Sequence, residues 1–330
     1  MLFPELLLKE LEVGDWGYSE EIEPRSFQHY ESWVARGDSS PLGYLEDHRM
    51  QARESLSSVL PNAQSAVVFL FNYHSRKLAL EKILSSLKSP FKMAGYVFGF
   101  KGRDYHDEIK ERLTILGRHL QERIEDLEFQ VCLDTHPVLE RDLALRSGLG
   151  WFGKNSMLIS RKIGSFTIIG SLVLSKKLDG TETSTIDTDH CGQCRACVEA
   201  CPTDAIDEVN RQIVANKCIS TFTIEMFKDH CVAPSGMEQA SGEVFGCDIC
   251  QDVCPWNSRA ERSGLVALNE DEFSQKNKLI VDTFFRSTPN EVIEELEELS
   301  NGAYKRKFKG TPLERTGRVG MLKNLKFWLD

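Results

Sequence analysis

Apolar positions along this chain follow two rhythms. Residues 65–73, SAVVFLFNY, form a nearly unbroken apolar run rich in β-formers, which predicts a short buried strand. SFTIIGSLVLS (165–175) has the same character, and FQVCLD (129–134) predicts a strand ending at Asp134. Elsewhere the period lengthens. Ile109, Leu113, Leu116, Leu120 and Ile124 recur at helical spacing and predict a helix from Asp104 to about Asp126. Another helix is expected from near Pro137, because proline suits a first helical turn. NEVIEELEEL (290–299) predicts an acidic amphipathic helix. Strands and helices mix in this way in the α+β class.

The pattern breaks at KKLDGTETSTIDTD (176–189), which is polar and aperiodic and is expected to be a linker. It divides the chain into 1–178, a cysteine-rich stretch 179–260, and a C-terminal segment 261–330. No repeat of fixed period and no low-complexity tract interrupts this order. A length of 330 residues suits two or three domains, and 41% hydrophobic content suits a folded core. The opening apolar run is broken by Glu5, Lys9 and Glu10, unlike a signal peptide. No stretch approaches the apolar length of a membrane helix. The expectation is a soluble cytoplasmic monomer with no membrane partner. A net charge of −10 argues against indiscriminate nucleic-acid binding but leaves room for a local basic patch.

In a reducing compartment, crowded cysteines point to metal or redox chemistry rather than disulfides. Nine of the ten cysteines fall between Cys191 and Cys254. Cys191, Cys194, Cys197 and Cys201-Pro202 spell C-x2-C-x2-C-x3-C-P, the bacterial ferredoxin run whose fourth cysteine serves the other cluster. Zinc typically takes paired C-x2-C units instead. Cys247, Cys250 and Cys254-Pro255 repeat the run without its first cysteine. Aligning the ends gives one 4Fe–4S cluster on Cys191, Cys194, Cys197 and Cys254. A second would take Cys201, Cys247, Cys250 and a cysteine from elsewhere. Cys218 is preferred because it lies closer to the first run, with Cys231 as the alternative; Cys132 is read as a core thiol. Two such clusters make a path for electrons, and residues 1–178 must supply what it feeds.

Four segments occur in order: DTHPVLERDLALRSGLGWFGKN (134–155), HCGQCRACVEACPTDAI (190–206), CISTFTIE (218–225) and FGCDICQDVCPWN (245–257). With RDYHDEIKERL (103–113) and GRVGMLKN (317–324), they make the chain closely resemble the epoxyqueuosine reductases, cobalamin-dependent iron–sulfur enzymes of tRNA queuosine biosynthesis. The resemblance covers nearly the whole chain. It implies a cobalamin-binding catalytic domain similar to that of reductive dehalogenases, fused to a two-cluster ferredoxin-like module. It also implies reduction of the epoxide of epoxyqueuosine, at the wobble position of a tRNA anticodon, to queuosine. Electrons would pass from an external donor through the clusters to cobalamin. Asp134 matches the family's proton donor, a role suited to an acid of raised pKa. The bland alternative is an aspartate capping the next helix. Cobalamin contacts carried over by the resemblance fall on Arg53, Val97, Asp134, Asn155, Leu158, Ser220 and the segment Cys247, Asp248, Ile249 and Cys250. Val97, being apolar, would contribute only backbone or packing. The bland reading of Arg53 is a surface arginine. The cobalt-ligating D-x-H-x-x-G motif is absent, since position 139 is Leu.

His136 is a candidate to face substrate and His190 to lie near the first cluster, whereas His106 and His230 are assigned to packing or solvent. From Tyr304 to Trp328, Lys305, Arg306, Lys307, Lys309, Arg315, Arg318, Lys323 and Lys326 interleave with Tyr304, Phe308, Phe327 and Trp328. Cations neutralise phosphates and aromatic rings stack on splayed bases, so this tail is expected to contact tRNA. The competing expectation pairs its cations with Glu291–Glu298. Two other functions remain open, a small-molecule reductase of the dehalogenase type and a plain electron-transfer protein.

Overall fold

A computed structural model describes residues 2–87, 89–181, 188–262 and 274–329, with no side-chain description for 260–262. Residues 182–187 of the expected linker and 263–273 of the C-terminal segment lie outside it. A four-stranded antiparallel sheet runs in the order Asp15–Ser19, Ser65–Asn72, Thr167–Leu174, Phe129–Cys132. Ser65–Asn72 is central and covered on both faces. Val67, Phe69 and Phe71 point to one hydrophobic cluster, and Ala66, Val68 and Leu70 to another. This double burial explains why the sequence shows an apolar run there rather than alternation.

The first face is covered by the helix Tyr105–Gln121, through Ile109, Leu113, Leu116 and Leu120. Its close approach rests on two glycines. A Cβ on Gly170 would meet Leu113 at 2.8 Å, and one on Gly117 would stand 2.3 Å from the Phe129 ring. The other face packs on Leu143 and Ala144 of the helix Glu140–Arg146. That helix starts later than Pro137 suggested. Residues 133–138 are instead held by turn bonds from His136 N–H to Leu133 O and from Val138 N–H to His136 O, both 2.8 Å.

The cysteine region places the short helices Ala196–Ala200, Ile219–Ile224 and Ile249–Asp252 beside a hairpin pairing Ile206–Asp207 with Gln212–Ile213. The C-terminal helices Gln275–Phe284, Pro289–Glu298, Asn301–Lys307 and Leu313–Lys326 share one core with the helix His74–Leu87 and with Val244 and Phe245. Thr288 and Glu291 form a capping box at the head of Pro289–Glu298. Among the described residues, no helix is long and apolar enough to cross a membrane.

Candidate active site and the cysteine groups

Asp134 lies just past the end of the strand Phe129–Cys132, and its side chain is 42% exposed into a pocket of about 510 Å³. The helix it was expected to cap begins six residues on, at Glu140, so the bland reading does not apply. Two regions of the chain wall the pocket. Tyr30, Trp33, Arg53, His136, Glu140 and Arg141 come from the N-terminal region. Val209 to Ile213, the turn of the cysteine-region hairpin, close it from the other side. Trp33 Nε1 donates to Ile213 O at 2.7 Å, and Ala215 N–H to Asp38 O at 2.7 Å, tying the two walls together.

The head of the helix Tyr105–Gln121 comes directly against Asp134. The Tyr105 hydroxyl donates to Oδ2, and the His106 ring lies 4.1 Å from the Tyr105 ring, nearly parallel to it. His106 Nε2 stands 2.8 Å from Asp134 Oδ1, a close ion pair rather than a well-aligned hydrogen bond. Its Nδ1 meets Asp104 Oδ1 at 2.6 Å, while Asp104 caps the helix by accepting from His106 N–H. His106 is therefore neither a packing nor a solvent residue, which corrects the sequence reading. The signal was the Asp-Tyr-His triplet at a helix head, where a cap and a first-turn ring share one pocket edge.

The electrostatics follow. Burial works against charge on His106, but the two flanking carboxylates outweigh it and carry its pKa up to about 9. For Asp134, burial favours the neutral acid, yet His106 and Tyr105 prevail and hold it below the usual carboxylate range. The raised pKa expected for Asp134 is thus not found; the raised carboxyls in its field are Glu140 and, lifted by burial and by Asp134, Glu225. Burial pushes Glu140 well above the carboxylate range, with the Asp134 charge adding to the shift, and its Oε1 has no hydrogen-bond partner. Arg315 reaches this field from the C-terminal helix, its charge held against burial by Glu225, Tyr105 and Asp134.

Nearby, Cys191, Cys194, Cys197 and Cys254 line one cavity of about 300 Å³ with His190 and Trp256. Burial raises the Cys197 thiol, and the charges of Cys254, Cys191 and Cys194 raise it further. Burial likewise raises Cys250 and Cys218, with Cys218 and Cys201 acting on the former and Cys201 on the latter. Cys247 is raised by burial and by Cys218 and Cys250. Cys218 thus lies close to Cys201, Cys247 and Cys250, and Cys197 of the first cavity also acts on Cys250, so the two sets of thiols adjoin. Cys231 instead acts on Lys323, and Cys132 is a buried core thiol raised to about 12. Among the described residues, no three His, Cys, Asp or Glu side chains converge as for a single metal ion. The thiols surround space rather than a point.

The residues carried over as cofactor contacts are not all at one place. Arg53 is buried, lines the Asp134 pocket and donates to Arg49 O at 2.8 Å. Val97 and Leu158 sit inside hydrophobic clusters, so for Leu158 too only the backbone is free to touch a ligand. Asn155 lines the first thiol cavity and donates to Cys250 O at 3.3 Å. Ser220 is half-buried in the helix Ile219–Ile224. Ile249 and Cys247 border the cluster around Phe222. The Asp248 carboxylate is committed elsewhere, accepting from Gly95 N–H at 2.8 Å and facing Lys77 Nζ at 3.5 Å. Lys77 is buried and also meets Asp252 at 2.9 Å and Glu81 at 2.6 Å. Lys77→Met should lower unfolding stability by roughly 3–5 kcal/mol, because it strands Asp248 without its cation. Urea titration of the cofactor-free protein checks this, and an unchanged midpoint would refute it.

His136 borders the pocket, His230 is exposed, and His190 packs edge-on to Trp151 with Nε2 2.5 Å from Arg161. In the C-terminal tail, Tyr304 and Phe308 are fully buried, which corrects their expected role as base-stacking platforms. Lys307 and Lys326 pair with Glu295 and Glu297, and Lys323 donates to two backbone carbonyls. Lys305, Arg306 and Lys309 remain exposed.

Comparison with known proteins agrees along the chain. Residues 53–135 match the family described as "Epoxyqueuosine reductase QueG, DUF1730", and residues 190–257 match the "4Fe-4S double cluster binding domain". An epoxyqueuosine reductase of Leadbetterella byssophila is 34% identical over 310 residues, covering 94% of this chain and 90% of that protein. Among solved structures, epoxyqueuosine reductase from Streptococcus thermophilus superposes with a TM-score of 0.77 at 21% identity, covering 98% of this chain and 79% of that one. An epoxyqueuosine reductase crystallised with an epoxyqueuosine-modified tRNA-Tyr stem loop gives 0.71 at 23% identity, covering 98% and 80%. The fold, the double-cluster region and the near full-length identity coincide on one assignment: this chain belongs to the epoxyqueuosine reductase family.

Proposed function

We propose that the chain reduces the epoxide of epoxyqueuosine in tRNA to the alkene of queuosine, with Asp134 delivering a proton to the departing oxygen. One observation carries most of this reading. The pocket holding Asp134 is closed on one side by residues 209–213 of the cysteine-bearing region, so the proton donor lies against the part of the chain that carries the thiols. The family membership names the substrate, and a relative crystallised with a modified tRNA stem loop supports tRNA as the partner.

The residues present fit the groups this chemistry needs. Two neighbouring sets of thiols, in which burial and adjacent thiols raise the proton affinity of Cys197, Cys254, Cys218, Cys247 and Cys250, suit a cationic iron–sulfur core. On this reading Cys191, Cys194, Cys197 and Cys254 hold one 4Fe–4S cluster, and Cys201, Cys218, Cys247 and Cys250 the other. The pocket beside them, with Arg53 and the unpartnered buried Oε1 of Glu140, suits a large ring fringed with amides, as cobalamin is. Cobalamin, when bound, supplies the low-potential two-electron chemistry at carbon. Residues 1–178 accordingly form the catalytic domain, residues 179–260 the cluster domain, and residues 261–330 a C-terminal segment. Lys305, Arg306 and Lys309 supply cations for the tRNA backbone. An external donor feeds the clusters of a cytoplasmic monomer.

Anaerobic reconstitution with iron, sulfide and cobalamin, followed by a reductant and epoxyqueuosine-containing tRNA, tests the proposal. Mass spectrometry should show the nucleoside losing one oxygen, and an unchanged nucleoside would sink it.

A further inference from the structure

Converting an epoxide to an alkene consumes two electrons and two protons and releases water. Both C–O bonds break and a C=C bond forms. The oxygen leaves well only if it is protonated as the bonds break. The structure raises a difficulty for a lone aspartate in that role, because Asp134 is held as a carboxylate by its neighbours. An ionised carboxylate has no proton to give.

His106 resolves it. The ring is anchored at Nδ1 by Asp104, 2.6 Å away, and its other nitrogen stands 2.8 Å from Asp134 Oδ1. That nitrogen is buried and lacks a well-aligned acceptor. Catalytic contacts are often loosely aligned before substrate binds and tighten afterwards. We propose that His106, as an imidazolium fixed by Asp104, is the proton store of the active site. It passes Nε2–H to Asp134, which hands the proton to the epoxide oxygen, and water recharges the ring for the second proton. The two electrons come from the reduced clusters, as in the proposed function on which this inference rests.

The surroundings suit an imidazolium. Asp104 and Asp134 face it from its own helix and from the end of the sheet. The Tyr105 ring stacks on it. Glu140, on the helix Glu140–Arg146, is kept neutral by burial and adds no competing carboxylate. Arg315, from the C-terminal helix, faces Asp104 and Asp134 and limits the excess negative charge. With the pKa up to about 9, the ring is charged throughout the neutral range and discharges as pH rises through about 9.

The test combines turnover with direct titration of the ring. In wild type, single-turnover rates should fall above about pH 9, and NMR of the cofactor-free protein should show a histidine titrating in the same range. His106→Gln should slow turnover about a hundredfold, the lower end for a positioned proton donor, and flatten the alkaline limb. Asp104→Asn keeps a competent helix cap, yet removes an anionic partner, so both the limb and the NMR titration should move to lower pH. An alkaline limb unchanged in His106→Gln, or a wild-type ring titrating near its ordinary value of 6.5, would overturn the proposal. A wild type inactive on epoxyqueuosine tRNA would instead count against the proposed function, while the NMR titration still judges His106.

Discussion

Asp134→Asn should cut turnover by about 10²–10⁴-fold, the usual contribution of a positioned acid, while both iron content and tRNA affinity stay at the wild-type level. The substitution is nearly isosteric and spares the fold. Asp134 follows a finished strand, precedes a turn held by backbone bonds of residues 133–138, and caps no helix. What it removes is the negative charge that holds His106 protonated and the carboxyl that can carry a proton to the pocket. The His106 titration should therefore fall from about 9 towards its ordinary value in the same variant. The linkage has a definite sign. The raised imidazole pKa stabilises the native state fully below about 6.5, and that contribution is lost as pH rises through about 9. Asp134→Asn should accordingly be less stable than wild type near neutrality and match it at strongly alkaline pH. Retained turnover would remove Asp134 from the acid role.

Cys218→Ala should cost the protein half its cluster iron, whereas Cys231→Ala should leave it intact. Cys218 sits half-buried at the head of the helix Ile219–Ile224 and feels the charge of Cys201. Cys247 and Cys250 feel Cys218 in turn. A cluster that loses one thiolate is exposed to solvent and falls apart readily, and the Ala side chain offers no substitute ligand. Cys231 lies against the hydrophobic cluster around Phe222 and Met237 and acts on Lys323. Iron assay with electron paramagnetic resonance of the reduced protein distinguishes the two variants. The reverse pattern would exchange their roles.

Much of the scaffold was legible in the chain. The apolar runs 65–73 and 165–175 emerge as the two central strands, where burial on both faces leaves little room for alternation, and 129–134 supplies an edge strand that ends at Cys132. The long helix was readable from its 3.6-residue stripe, Ile109 to Leu120. The start of the next helix was not, because Pro137 is used in a turn that presents Asp134. Cysteine spacing separated two groups, since ligand geometry constrains separation along the chain. The partners of Asp134 were harder to find. Tyr105 and His106 lie 29 and 28 positions upstream, and only the packing of one helix head on a strand end brings them in. The tail misled for a similar reason. Tyr304 and Phe308 alternate with lysines in sequence, but helical geometry turns them inward to the core, leaving the lysines outside.

The hairpin of the cysteine region, Ile206–Asp207 paired with Gln212–Ile213, does more than connect two thiol groups. Its turn closes the Asp134 pocket and is stitched to the N-terminal region through Trp33 and Asp38. The electron-carrying half is therefore also masonry. Replacing it with an unrelated ferredoxin of equal potential would leave the cavity unroofed and flooded, however well the electrons flowed. An engineer can change the donor upstream of this chain freely, but the last relay and the reaction vessel must be inherited together.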